Sequence, residues 1–306
     1  MTVRYYSYED ADAPQLDAQA GSLIALLDAC LIDGYSSGGT EKPPLNWEIA
    51  FTGTDKRVYK STSPDAFPSY LRVVDDGSSA DGAESAQARA YRTMSDVDTG
   101  ANATSEVLFK KTTGGSGRPW VLIGDERAFY LCVRISGYTQ LHFYGDVVAQ
   151  GAGDDGAVLL HGGGSGSSSS AWECFAMTES NGSSSEYQPN CYWLKDVDLI
   201  GDSGRVRHYS YNHFSNFGDD VLSHPNPVTG EILVAPIFVG GFDNSASTHY
   251  LRGRLPGGYE RLTNYSAGVF EIIGGVNGLS DRDIVNLQHY NSSAESIFVD
   301  ITGPWR

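Results

Sequence analysis

Phe129-Tyr130-Leu131-Cys132-Val133-Arg134-Ile135 alternates as a β-strand does, with Phe129, Leu131, Val133 and Ile135 on one face and Tyr130, Cys132 and Arg134 on the other. Four large apolar residues require a buried face, while Arg134 marks the opposite face as partly wet, the pattern of an antiparallel sheet covered on one side. Outward from this stretch the chain repeats the theme. Short β-like runs fall at 47–51, 57–60, 70–74, 88–94, 120–123, 141–148, 158–161, 172–177, 206–211, 231–239, 249–254, 269–273 and 296–301, punctuated by Gly, Asp and Ser. No helical pattern of ten or more residues separates them, which excludes a parallel βαβ architecture. The 36 Gly and 12 Pro, about 16% of the chain, exclude a coiled coil or helical bundle, because both residues weaken helix interiors. The sequence therefore predicts a mainly β fold, an antiparallel β-sandwich-like body with one N-terminal amphipathic helix.

That helix is predicted within 18–34, where Leu23, Leu26, Leu27, Cys30 and Leu31 recur at spacings of three and four. Asp17 or Ser22 is expected to cap its start and Gly34 to stop it. Before it, residues 4–15 form a polar arm whose Tyr5, Tyr6 and Tyr8 cannot build a core of their own, so the arm is expected to rest on the parent domain or on a neighbouring subunit. The organisation is read as an arm and helix over 1–34 and a β body over 35–306. The Gly- and Ser-rich tract 162–170 is a long loop within one β domain or a linker between two β subdomains. The segment 181–185 is a second loop of that kind.

Hydrophobic residues reach 40% of 306 and aromatics 11%, enough to bury a sizeable core. The net charge of −17 argues against general attraction to nucleic acid or anionic lipid. Neither a signal-peptide pattern nor an apolar run of spanning length is visible, so a soluble, cytoplasmically synthesised chain is expected. Cys30, Cys132, Cys174 and Cys191 include no Cys-x-x-Cys pair and are read as free, mostly buried thiols rather than disulfides or zinc ligands.

Several stretches imitate catalytic motifs. Gly151-Ala152-Gly153-Asp154-Asp155-Gly156 has dinucleotide-loop spacing, but no helix opens behind it and two aspartates would repel a pyrophosphate. Gly201-Asp202-Ser203-Gly204 resembles a serine-protease segment without its partners, and His161-Gly162-Gly163-Gly164 resembles an esterase oxyanion loop without a nucleophile elbow. All three read as turns. Asp75 with Asp76, Asp154 with Asp155, Asp219 with Asp220, and the group Asp196, Asp198 and Asp202 lack calcium-loop spacing and read as solvated turn carboxylates. His208 and His213 converge on a metal only across a turn. No acid pair is singled out for glycoside hydrolysis. The sequence thus nominates no catalytic, cofactor-binding or metal-binding residue, and no cofactor is expected.

Further stretches stand out beside the segment 20–34 and Trp47. They are Lys56-Arg57-Val58-Tyr59-Lys60-Ser61, Tyr70-Leu71-Arg72-Val73, Met94-Ser95-Asp96-Val97-Asp98-Thr99-Gly100, Arg118-Pro119-Trp120-Val121-Leu122-Ile123-Gly124-Asp125 and Phe143-Tyr144-Gly145-Asp146. Two more close the chain, Leu251-Arg252-Gly253-Arg254-Leu255-Pro256-Gly257-Gly258-Tyr259 and Thr302-Gly303-Pro304-Trp305-Arg306. With these the chain resembles, over nearly its whole length, a largely uncharacterised family of tailed-phage and prophage virion proteins. The resemblance implies a structural component of the neck or collar, tail or capsid surface, made in the host cytoplasm and located in the virion, and it implies no catalytic residues. The expected partners are portal, tail or capsid proteins and further copies of the chain in a symmetric assembly, with neither nucleic acid nor membrane. The candidate interface residues are Tyr5, Tyr6, Tyr8, Leu23, Leu26, Leu27, Leu31 and Trp305, and on this reading the β body folds without residues 1–34. The alternative is a receptor-binding, lectin-like module whose exposed aromatics stack on sugar rings. A glycan depolymerase ranks behind both.

Overall fold

The computed structural model of the chain describes residues 1–135, 138–149, 157–163, 190–194, 206–209, 232, 234–243, 248–261, 267–274, 276, 279, 281–287 and 297–306. These form three antiparallel sheets, a two-stranded hairpin (Tyr35–Ser37 with Thr40–Lys42) and one short helix. The mainly β, sandwich-like class expected from the sequence is the class observed.

The middle sheet runs Arg4–Ser7, Trp120–Gly124, Ala128–Ile135, Tyr138–Asp146, Val158–Gly162 and Asn190–Leu194, every neighbour antiparallel. The alternation read from residues 129–135 is real, but the second face is not wet. Phe129, Leu131, Val133 and Ile135 join Trp120, Leu122 and Tyr144 in one core shared with the helix and a second sheet. Ala128, Tyr130 and Cys132 join Val121, Ile123 and Phe143 in another, shared with Ile237, Leu255, Val285 and Val299 of a third sheet. Along Ala128–Ile135 only Arg134 is exposed. Each large apolar side chain so buried contributes roughly 1.5–3 kcal/mol.

The second sheet, on the helix side, is built from Trp47–Gly53, Lys56–Ser61, Tyr70–Val74, Ser85–Asp96 and Thr99–Ala103, with Val107–Lys110 pairing to Ser85–Asp96. Its inner face offers Tyr59, Leu71 and Val73 together with the small residues Ala86, Ala88 and Ala90. The third sheet is C-terminal and contains Val206–Tyr209, Val234–Asp243, Thr248–Arg261, Ile297–Asp300, Ile284–Asn286 and Ile272–Ile273; Val148–Ala149 also pairs with Thr248–Arg261. The expected run 269–273 is shorter than predicted, because Val269 and Phe270 lie in a turn.

The expected helix contracts to Ser22–Asp28 and continues as one π turn, Ala29–Asp33, before Gly34 stops it with a positive φ of 74°. Neither expected cap serves. Asp17 accepts from the Gln19 N–H, and the Ser22 hydroxyl donates to the Asp17 carbonyl. The cap arrives from the second sheet instead: Asp75 Oδ2 accepts from Leu23 N–H at 2.8 Å, and the Asp75 carbonyl accepts from Gly21 N–H at 2.8 Å. Asp75 is fully buried, which corrects its reading as a solvated turn carboxylate. Its other oxygen meets Lys111 Nζ at 2.5 Å, and that ammonium also donates to the Gln19 carbonyl and the Ser22 hydroxyl. Burial pushes the Asp75 carboxyl above its ordinary range, with the Lys111 contact opposing the shift.

Where the layers meet, the buried carboxylates Asp125 and Asp146 are paired. Asp125 accepts from the N–H groups of Arg127 and Ala128 and from Arg306 Nη1 at 2.5 Å, while its carbonyl takes the Trp47 indole N–H. Asp146 receives Arg127 at 2.7 Å and the Phe67 N–H at 3.0 Å, and its carbonyl receives Arg306 Nη2. Gly145 precedes it at φ 139°, where a Cβ would lie 2.3 Å from Ala128 Cα, so no other residue fits. His142 is fully buried, stacks on Phe109 at 4.7 Å and approaches the Lys110 carbonyl at 3.3 Å.

The sequence expectations at 151–156, 172–177, 181–185, 196–204 and 213–220, and the tract 162–170 beyond Gly163, lie outside the described residues. His208 lies on the strand Val206–Tyr209. Cys30 and Cys132 are buried and take part in no disulfide, as expected.

Two stability outcomes follow from these buried groups. Lys111→Ala strands the Asp75 carboxylate and is expected to cost about 3–5 kcal/mol by urea denaturation, against less than about 1 kcal/mol for Lys60→Ala at the exposed Glu48 pair. Burial depresses His142 from 6.5 to about 3. The unfolded ring therefore takes a proton that the folded ring refuses, and the stability contributed by the neutral ring is complete above 6.5 and lost as pH falls toward about 3. Denaturation of wild type and His142→Phe, compared between about pH 7 and about pH 4, should show wild type losing up to about 1.4 kcal/mol per pH unit relative to the variant.

Candidate functional site

The eight candidate interface residues divide sharply. Tyr6, Leu23, Leu26, Leu27 and Leu31 are fully buried in the core between the middle and helix-side sheets. The Tyr6 hydroxyl donates to the Pro43 carbonyl at 2.6 Å. Trp305 is buried in the opposite core, edge-on to Tyr130 at 5.6 Å, with its indole N–H on the Asp300 carbonyl. These six therefore stabilise the chain itself and offer no surface to another subunit, a correction with a plain physical cause: a middle sheet apolar on both faces needs two covers, and these residues belong to them. Tyr5 is half-buried beneath Lys42, and Tyr8 alone of the eight is exposed. Of the two placements expected for the arm, the structure shows the one on the parent domain, with Arg4–Ser7 paired in register to Val121 through Gly124. Nor is His161-Gly162-Gly163 a turn. His161 and Gly162 lie in the strand Val158–Gly162, and Gly163 bridges to Leu108.

The surface that combines aromatic and charged groups lies elsewhere, on the outer face of the helix-side sheet. Alternation that sends Tyr59, Leu71 and Val73 inward sends Lys56, Lys60, Tyr70, Arg72, Arg89 and Tyr91 to the outer side, where Tyr91 is itself buried beneath Arg89. Phe51 and Tyr70 lie 6.4 Å apart, Lys60 Nζ sits 5.8 Å from the Tyr70 ring, and the Arg89 guanidinium covers Tyr91 at 5.4 Å. Cation–aromatic pairs of this kind hold flat, amphipathic surface at a fixed height. Lys56 and Arg72 both reach Asp98, and their hydrogen bonds hold its carboxyl below the ordinary range. Lys60 pairs with Glu48 at 3.1 Å. The cations on this face, Lys56, Lys60, Arg72 and Arg89, outnumber its acids, Glu48 and Asp98, in a chain whose net charge is −17.

No protein-family model matches the sequence, and no curated protein is significantly similar to it. The function must therefore be argued from the surface itself. Among the described residues, no group of three or more His, Cys, Asp or Glu is placed to hold a metal ion. The aromatic and cationic face is suited to contact chemistry, through ring stacking, cation–π pairing and attraction of acidic groups. Sequence reading missed it because its residues are spread over four strands, and only the cross-strand register brings Phe51, Tyr70 and Tyr91 together.

Deleting residues 1–34 removes an edge strand and takes Tyr6, Leu16, Leu23, Ile24, Leu26, Leu27, Cys30 and Leu31 out of the first core. The truncated chain is expected to lose its cooperative thermal transition and to accumulate as insoluble protein. A soluble product with a sharp unfolding transition would show that the segment is separable.

Proposed function

We propose that this chain is a structural component of a tailed-phage virion, at the neck, tail or capsid surface, and that it acts by protein–protein assembly without a catalytic step. The resemblance of its sequence to virion proteins supports the setting. The observation that carries the assembly role is the basic, aromatic outer face of the helix-side sheet. Its occupant is a neighbouring copy of the same chain, because the remaining surface of an acidic protein is complementary to a locally basic face. Such a contact joins two different patches and is heterologous, the kind that closes into rings when the rotation permits. Portal, tail or capsid proteins would meet the ring, and neither nucleic acid nor membrane is required.

Host-glycan recognition is the second reading, and one observation favours it: the half-buried Tyr70 ring beside Phe51 and Lys60 is a stacking platform for a sugar.

Sedimentation equilibrium of the full chain is expected to show an oligomer at low salt that weakens as salt rises, and Arg72→Glu combined with Arg89→Glu should shift it toward monomer. The same variant should enter particles poorly. A monomer at every salt concentration, with wild-type incorporation of the variant, overturns the reading. Glycan-array binding that Tyr70→Ala abolishes would favour host recognition instead.

A further inference from the structure

A cavity of about 410 Å³ opens between the C-terminal sheet and the segment that follows its strand Ile297–Asp300. Its size falls within the roughly 300–1,000 Å³ typical of small-molecule sites. Three of its lining residues are arginines, Arg254, Arg282 and Arg306, and the one acidic side chain in the lining, Asp281, belongs to an exposed residue. Pro236, Leu255 and Trp305 supply apolar wall.

The three guanidinium groups are held differently. Arg282 is fixed from behind by the fully buried Asp300, with Nη1 at 2.5 Å from Oδ2. Arg306 is fixed by Asp125 and by the Asp146 carbonyl. Its Nε is nevertheless a buried donor with no hydrogen-bond partner among the described residues, and its side chain is only 9% exposed. Arg254 makes no ion pair with a described residue. A buried N–H left unsatisfied carries a penalty of roughly 1–3 kcal/mol, so a donor of this kind calls for an acceptor.

The site is also shaped in a way that ordinary packing does not require. Gly257 has φ 64°, and a Cβ there would lie 2.1 Å from the Trp305 indole nitrogen. The backbone thus lies directly against the ring, and Trp305 is pinned on one side by Tyr130 and on another by the Asp300 carbonyl. The strand Val234–Asp243 slips register between Pro236 and Phe238, where Pro236 offers no N–H to its neighbour. The result is a rigid recess with apolar walls and cationic forks.

We propose that this cavity binds a small anionic ligand through a carboxylate or phosphate group. Arg254 supplies the charge that no described residue balances, the remaining N–H donors of Arg282 and Arg306 complete the contact, and the apolar wall takes the uncharged part of the ligand. Guanidinium forks match the spacing of both oxyanions, and their fixed backing carboxylates spare the ligand the entropy of ordering them.

The test is calorimetric titration of the full chain, alongside melting-temperature shifts, with three probes: glucuronate, inorganic phosphate and neutral glucose. At least one anion is expected to bind and raise the melting temperature, weakening as ionic strength rises, while glucose does neither. Binding of glucuronate assigns a carboxylate ligand, and binding of phosphate alone assigns a phosphate-bearing one. Arg254→Ala leaves both backed arginines in place and should weaken binding about tenfold or more. Arg254→Lys, which keeps the charge and loses the fork, should recover only part of the loss. No binding of either anion, or equal binding by wild type and a folded Arg254→Ala variant, overturns the proposal.

Discussion

Everything in this fold depends on a sheet that meets water on neither side over most of its width. When both faces of the strands Trp120–Gly124 and Ala128–Ile135 are apolar, one partner layer is not enough, because the second face would present a contiguous apolar patch to solvent. The helix-side sheet with its helix supplies one cover and the C-terminal sheet the other. The helix is only seven residues of α plus one π turn, far too short to be stable alone, and it persists because Leu23, Leu26, Leu27 and Leu31 are all buried in the shared core.

A double-covered sheet leaves charged groups only at its rims, and that is where the buried ion pairs collect. Asp125, in the turn after Trp120–Gly124, and Asp146, at the end of Tyr138–Asp146, are contacted from all three layers: by Trp47 and Phe67 from the helix side, by Arg127 within the sheet, and by Arg306 from the C-terminal segment. Burial pushes the Asp146 carboxyl upward, and its hydrogen bonds from Arg127 and Phe67 work in the opposite direction. Lys111 and Asp75 form the equivalent link under the helix. Buried pairs of this type add little net stability over apolar packing, yet each strongly penalises any arrangement that separates its members. They fix how the layers register against one another.

The strand content was legible in the sequence because alternation and Gly-rich punctuation are local signals, and residues 129–135 carry both. The wetness of the second face was not, because Tyr130 and Cys132 suit a buried or a half-exposed position equally and Arg134 pulled the reading toward solvent. The strand Arg4–Ser7 was hidden for a related reason: its partner lies more than a hundred residues away, and a Tyr-rich arm looks the same paired or loose. The helix cap failed locally because Asp75, not a neighbouring residue, fills it. Six of the eight interface candidates are buried within the chain for one cause. A large apolar residue is the mark of a contact, and sequence does not say whether the contact is within the chain or outside it. The face that does look outward is assembled from Phe51, Tyr70, Arg72 and Arg89, none of which is conspicuous alone.

Order of synthesis turns the pairing of Arg4–Ser7 with Trp120–Gly124 into a matter of timing. The first strand and the apolar helix leave the ribosome early, but their sheet partner, their cap at Asp75 and the lysine beneath it at Lys111 all follow later. At roughly 5–20 residues per second, the wait for the partner strand lasts on the order of 6 to 23 seconds. During that interval the leucine stripe can meet the helix-side sheet, but the wall of the core that the middle sheet supplies is missing. The first core is therefore complete only once the middle sheet has been made.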